Sequence, residues 1–202
     1  MSLITRFYDA TEGEVLVDGV NVKDYSLKAL RKKVGFVLQK AELFSDTIEN
    51  NIRWGNPEAE DSEVRRAAEI AQAKEFIEGF TDGYGDMITE KGSSLSGGQK
   101  QRLSIARAVV KHPEILVFDD SMSALDLSTD AKLQKALREN LSGTTVIMIA
   151  QRVASVMNAD KIAVIDGGRL VAFDNHEHLL KSCDVYRDIY NSQMREGDEQ
   201  VG

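Results

Sequence analysis

Apolar and polar positions along the chain switch repeatedly between the period of a helix and that of a strand. Leu3, Ile4 and Phe7 stand at helical spacing and read as the end of a helix whose start is missing. From Glu14 to Val22, two short apolar runs surround Asp18-Gly19, the strongest short-range signal for a β-hairpin. Ser26 is placed to cap a short helix through Lys33, and Val34 to Leu38 then reads as a buried strand ending at Gln39. Asp61 and Ser62 offer N-caps for a helix to about Phe80, with Val64, Ala67, Ala68, Ile70, Ala71 and Phe76 as its apolar stripe.

A glycine-rich segment, Leu95-Ser96-Gly97-Gly98-Gln99, opens a helix that runs to about Val110 and stops before Pro113. Ile115 to Phe118 is an uninterrupted apolar run closed by Asp119-Asp120, the pattern of a strand buried on both faces. A helix from Thr129 to Asn140, a strand from Thr144 to Ala150 and a short helix from Val153 to Met157 follow. Strands alternating with helices predict an α/β fold with a parallel sheet and right-handed crossovers. Lys161 to Phe173 forms a second hairpin turning at Asp166-Gly167-Gly168, and an amphipathic helix covers about Glu177 to Ser192. A mainly helical region at about 54–110 is then set against a sheet core built from 1–53 and 111–202.

Composition narrows the function classes. With 202 residues, 42% hydrophobic and 29% charged, the chain is long enough to bury a core and is not of the disordered type. A net charge of -8 repels phosphate backbones and argues against broad nucleic-acid binding. One cysteine, Cys183, cannot close an intramolecular disulfide, and three histidines (His112, His176, His178) do not make a zinc cluster. No apolar run approaches the roughly 20 residues that span a bilayer, so a membrane role has to come from a partner.

The segment from Leu95 to Gln99 carries the most specific chemistry. Paired glycines at a helix start let backbone N–H groups approach a ligand, the helix dipole favours an anion, and Ser96 adds a hydroxyl. Such a turn suits phosphate oxygens. Asp119 at a strand end is a hard oxygen ligand, although a strand-end acid can also simply cap the next turn. Asp126 is, on local grounds alone, sufficient as a helix N-cap.

Taken in order, these segments resemble the nucleotide-binding domain of an ABC transporter. Leu95 to Gln99 is similar to the family's LSGGQ signature, Ile115 to Asp119 to its Walker B strand, Ser123-Ala124-Leu125-Asp126 to its D-loop, and Gln39 to its Q-loop glutamine. Arg6-Phe7-Tyr8-Asp9 and Glu90-Lys91-Gly92 resemble the exporter branch. The resemblance implies ATP and Mg²⁺ as cofactors, with Asp119 and Gln39 toward the metal, Gln39 also toward the attacking water, and Asp120 and Gln151 toward hydrolysis. It also implies that Ser96, Gly97, Gly98 and Gln99 serve the nucleotide of a second cassette, with Asp126 signalling between the two. The other partner implied is the transmembrane domain of an exporter, which places the chain at the cytoplasmic face of the cell membrane.

Three departures qualify this. Asp120 stands where the pattern has a glutamate that polarises water, and it is one methylene shorter. Gln151, in Ile149-Ala150-Gln151-Arg152, stands where the pattern has a histidine; glutamine can bond a γ-phosphate but carries no proton or positive charge. This pairing resembles the degenerate half of a heterodimeric exporter. Finally, the P-loop G-x-x-x-x-G-K-[ST] needs a Gly-Lys step, and the sequence contains none. In the family pattern Met1 falls just past where that lysine would be, so the expectation is a partial cassette lacking its N-terminal strands and Walker A.

The expected function is that of the ATP-binding subunit of an exporter with little activity as an isolated chain. The alternative is a non-catalytic interaction module or gene fragment that donates its LSGGQ helix to a partner cassette. Chromosome-clamp and repair ATPases share such signatures, but the charge of -8 and the lack of coiled-coil heptads disfavour them.

Overall fold

The computed structural model describes residues 1–89 and 95–199, the stretch 195–199 by its backbone alone. It divides into two compact units, Met1–Ile149 and Ala150–Gly202.

In the first unit the opening residues form turns rather than the end of a helix. Ile4 N–H bonds the Met1 carbonyl, Phe7 N–H bonds that of Ser2, and Arg6 takes a φ of 51°, which breaks any helical run. The hairpin follows as expected: β1 (Leu16–Val17) and β2 (Val20–Asn21) pair antiparallel, with Asp18 and Gly19 both at positive φ. That geometry belongs to a type I′ turn, which Asp-Gly favours. Ser26 Oγ accepts from Ala29 N–H at 3.2 Å and caps α1 (Leu27–Lys33), which runs directly into β3 (Val34–Val37). A short strand β4 (Asp46–Thr47) leads into α2 (Ile48–Arg53).

The helix expected from 61 to 80 is broken in two, α3 (Asp61–Ile70) and α4 (Lys74–Glu78), and its N-cap is Glu60, which shares a capping box with Glu63. The break is a Schellman turn. Gln72 sits at φ 57° with its N–H on the Glu69 carbonyl, and Ala73 N–H bonds the Ala68 carbonyl. Apolar spacing continues through this turn, which is why periodicity alone reads one helix. Strand β5 (Met87–Ile88) pairs with β4, and after it come α5 (Gly97–Val109), β6 (Ile115–Asp119), α6 (Leu127–Asn140) and β7 (Thr145–Ile149).

Strands β3, β6 and β7 form a parallel sheet in that order, with Val37 opposite Phe118 and Asp119 opposite Ile149. Leu116, Val117 and Phe118 of the central strand are fully buried, as the uninterrupted apolar run predicts. Strand β7 pairs on one side with β6, and Thr145 and Val146 are exposed. One core joins the sheet to the helices, through Val37 and Phe118 with Ile52, Ala68, Leu103, Ile105 and Leu133.

The second unit holds a 3₁₀ turn at Val153–Ser155, a hairpin of β8 (Ile162–Asp166) and β9 (Arg169–Asp174), and two helices, α7 (His176–Ser182) and α8 (Asp184–Glu199). Gly167 and Gly168 both take positive φ in the hairpin turn. The single helix expected near 177–192 is interrupted at Cys183, whose extended backbone ends α7 and whose side chain is buried with Leu179 and Tyr186. Among the described residues, no helix is long and apolar enough to cross a membrane.

Candidate functional site

The site assembles at the carboxyl ends of β3 and β6, where open parallel sheets place their ligand crevices. Asp119 is the last residue of β6 and is half-buried. Asp120 follows at φ 49°, a left-handed turn that a short polar side chain tolerates. Its N–H still reaches the Ile149 carbonyl at 3.1 Å, and its carbonyl accepts from Ser123 Oγ at 2.8 Å. The strand is therefore bent sharply while its end stays fastened to β7. Gln39, two residues past β3, donates its Nε2 to Asp120 Oδ2 at 2.9 Å. The parallel register thus brings together two residues 81 positions apart that the sequence singled out separately.

At the start of α5, Ser96 and Gln99 close a capping box: Ser96 Oγ accepts from Gln99 N–H at 3.2 Å, and Gln99 Oε1 accepts from Ser96 N–H at 2.8 Å. The hydroxyl acts here as acceptor, so its own proton remains available for an incoming oxygen. No acidic residue lies in the first turn, so the helix itself places no negative charge at the positive end of its dipole. The two glycines have different reasons. A Cβ on Gly98 would stand 3.3 Å from the Ala124 carbonyl oxygen, whereas one on Gly97 would meet nothing within 4 Å. Packing explains Gly98 in part; at Gly97 no packing contact among the described residues requires glycine.

Asp126 caps α6 with both oxygens, Oδ1 accepting from Thr129 N–H at 2.9 Å and Oδ2 from Thr129 Oγ1 at 2.7 Å. These bonds hold its carboxyl below the usual range. The loop between Asp120 and Asp126 is anchored by Met122 and Leu125, both buried in the main core.

Three polar residues on α5 escaped the sequence reading. Gln101 is 1% exposed and donates Nε2 to the Leu38 carbonyl at 3.0 Å. Arg102 donates to the Gln72 carbonyl at 2.7 Å, with its guanidinium over the Phe76 ring. Arg107 donates to the carbonyls of Asn51 and Glu42 at 2.8 and 2.9 Å. Burial lowers the pKa of both arginines. The available signal was a glutamine on the apolar stripe with Ile105 and Ala108.

Gln151 belongs to the second unit, where its carbonyl accepts from Gln193 Nε2 at 2.7 Å. Glu90, Lys91 and Gly92 lie outside the described residues. The histidines are engaged in local bonds: His112 Nε2 with Glu63 at 3.0 Å, His176 Nδ1 with Tyr186 Oη at 2.8 Å and His178 Nδ1 with Asp174 at 3.2 Å. Among the described residues no group of three or more His, Cys, Asp or Glu is disposed to hold a metal by itself. Asp119 and Asp120 are consecutive carboxylates at this strand end, hard oxygen groups of the chemical type that Mg²⁺ takes as ligands.

The chain is similar to known proteins over nearly its whole length. A family model described as ABC transporter matches residues 1–123. The chain is 42% identical over 192 residues to the uncharacterized ABC transporter ATP-binding protein YknV of Bacillus subtilis, covering 95% of this chain and 32% of that protein. It is 41% identical over 192 residues to ABC transporter B family member 4 of Dictyostelium discoideum, covering 95% of this chain and 25% of the relative. The chain thus spans a third or less of the length of these curated relatives. The solved structure of a bacterial Atm1-family ABC exporter with ATP bound superposes with a TM-score of 0.91 at 39% identity, over 96% of this chain and 34% of that one.

Proposed function

The chain belongs to the ABC transporter family, and from that premise we propose that it is the ATP-binding cassette of an exporter, coupling ATP binding and hydrolysis to transport by a transmembrane partner. The observation that carries this reading is the Gln39–Asp120 bond at the carboxyl ends of adjacent parallel strands, beside the Walker B residue Asp119. Bound ATP and Mg²⁺ would supply the transferable γ-phosphoryl group and the charge that neutralises it.

Asp119 offers a carboxylate to the metal, and Gln39 offers its amide to the metal or to a water. Asp120 is the group that accepts a hydrogen bond from that water. The Ser96 hydroxyl proton and the N–H groups of Gly97 and Gly98 would serve as a phosphate cradle for the nucleotide of a second cassette, with Gln99 closing the cap that holds the turn and Asp126 at the seam. The open space around Gly97 supports that role, since no described residue crowds the position into glycine.

Two features make this chain the slower half of a heterodimeric pair. Asp120 reaches one methylene less far than glutamate, and Gln151 replaces a protonatable side chain with one that is not. The sequence also holds no Gly-Lys step, so the lysine of a phosphate cradle is not among its residues and the chain alone has little ATPase activity. In the assembled exporter it acts at the cytoplasmic face of the membrane through its transmembrane partner.

The test is nucleotide affinity, measured by equilibrium titration on the chain alone and after fusion to an upstream segment carrying G-x-x-x-x-G-K-[ST]. Tight Mg²⁺-dependent ATP binding is expected only with the segment, and none in either form overturns the reading. In the assembled pair, Asp120→Glu with Gln151→His should raise turnover by about 10²-fold, the scale of a well-placed general base. Unchanged turnover would remove the slower-half assignment.

A further inference from the structure

The stretch that carries Gln39 is fastened to the signature helix rather than to the sheet. The ladder between β3 and β6 ends at Val37, opposite Phe118. Beyond it, Gln101 Nε2 donates to the Leu38 carbonyl at 3.0 Å from a site that is almost wholly buried. That carbonyl lies in the peptide plane joining Leu38 to Gln39, so the bond sets the plane from which Gln39 departs. Gln39 then donates to Asp120 Oδ2 at 2.9 Å. Further along, Arg107 of the same helix donates to the Glu42 and Asn51 carbonyls. Helix α5 therefore holds the segment 38–51 at both ends with half-buried or buried polar side chains, and it begins at the capping box of Ser96 and Gln99.

We infer that Gln101 is a positioning residue that ties the placement of Gln39 against Asp120 to the signature turn at Ser96–Gln99. The helix between them is a continuous hydrogen-bonded rod packed in the main core, so a displacement of its first turn is carried to Gln101 within a single turn of helix. Leucine or methionine would fill the same space yet leave the Leu38 carbonyl without its donor, which uncouples the helix from the loop. The inference rests on the cassette reading in one respect: that reading makes the signature turn and the Gln39–Asp120 pair two sites whose states need to be linked.

The experiment is a double-mutant cycle read by NMR on the ¹⁵N-labelled 202-residue chain. The probe is the side-chain amide resonance of Gln39, identified by its disappearance in Gln39→Leu. Ser96→Ala, which removes the helix cap, is the perturbation. It should move the Gln39 resonance in the otherwise unaltered chain, and that movement should be lost in the presence of Gln101→Met, with far-UV circular dichroism verifying the fold. Gln101→Glu, which keeps the length but turns an acceptor toward the Leu38 carbonyl, is the second variant and should give the same loss. A Gln39 shift that persists undiminished beside either variant, or no shift from Ser96→Ala at all, overturns the inference. Failure of nucleotide binding in the fused chain would sink the cassette reading while leaving this coupling measurable, so the two failures are distinct.

Discussion

Arg107 and Asn51 are joined twice, Arg107 Nη2 donating to Asn51 Oδ1 at 2.9 Å and Nε to the Asn51 carbonyl at 2.8 Å. Asn51 is fully buried, and its side chain also clasps Phe44, accepting from the N–H and donating to the carbonyl, both at 2.9 Å. The Phe44 ring stacks on Trp54 with centroids 4.4 Å apart. One guanidinium thus orders the path from the Gln39 strand end to α2.

Removing that guanidinium takes its donors from the carbonyl and Oδ1 of the fully buried Asn51. Arg107→Met should therefore lower the free energy of unfolding by about 2–4 kcal/mol, with Arg107→Lys recovering only part because an ammonium cannot make the planar fork. Urea unfolding followed by fluorescence of Trp54, the chain's single tryptophan, measures both.

Gly55 and Gly97 should respond oppositely to alanine. A Cβ on Gly55 would lie 1.9 Å from the Arg107 carbonyl oxygen, a backbone atom that cannot move aside. Gly55→Ala is expected to cost about 2–4 kcal/mol or to prevent folding. Gly97→Ala, with open space at its Cβ, should leave thermal stability unchanged or raise it by about 0.5–1 kcal/mol. A phosphate-dependent defect in Gly97→Ala would then report on ligand approach and not on the fold.

Gln72 is a non-glycine residue in a left-handed conformation at the end of α3. Its carbonyl, which binds Arg102, belongs to the backbone and survives any substitution. Gln72→Gly should relieve the crowding of Cβ and stabilise the chain by about 0.5–1 kcal/mol after the added unfolded-state entropy is subtracted. A melting temperature that falls would contradict this.

In the second unit, Lys161 Nζ at 3.0 Å, the Asn175 N–H at 2.8 Å and His178 Nδ1 at 3.2 Å surround Asp174. Led by Lys161, they hold its carboxyl down to about 2, against 3.8 for an ordinary aspartate. Because the folded value is the lower one, the stabilisation is present above about pH 4 and is lost as the pH falls toward 2. Asp174→Asn should lower the melting temperature at pH 7, and the difference should shrink steadily as the pH falls from 4 to 2, as thermal scans across that range would record.

Much of this protein is written locally. Asp18-Gly19 and Gly167-Gly168 dictate their hairpins through positive φ, Ser26 and Asp126 cap their helices through a backbone N–H three residues on, and the run Ile115–Phe118 announces the central strand. The signature segment is legible for the same reason, since its glycines, cap and helix act within a few residues of one another. The tertiary structure decided what no local pattern encodes. It put Gln39 against Asp120 across 81 residues, Gln101 on Leu38 across 63 and Arg107 on Asn51 across 56. Those pairings depend on which strands the crossovers place side by side and on which buried carbonyls are left over for a side chain to satisfy. Spacing along the chain carries no record of that, so candidate residues could be named from sequence while the bonds that hold them in place could not.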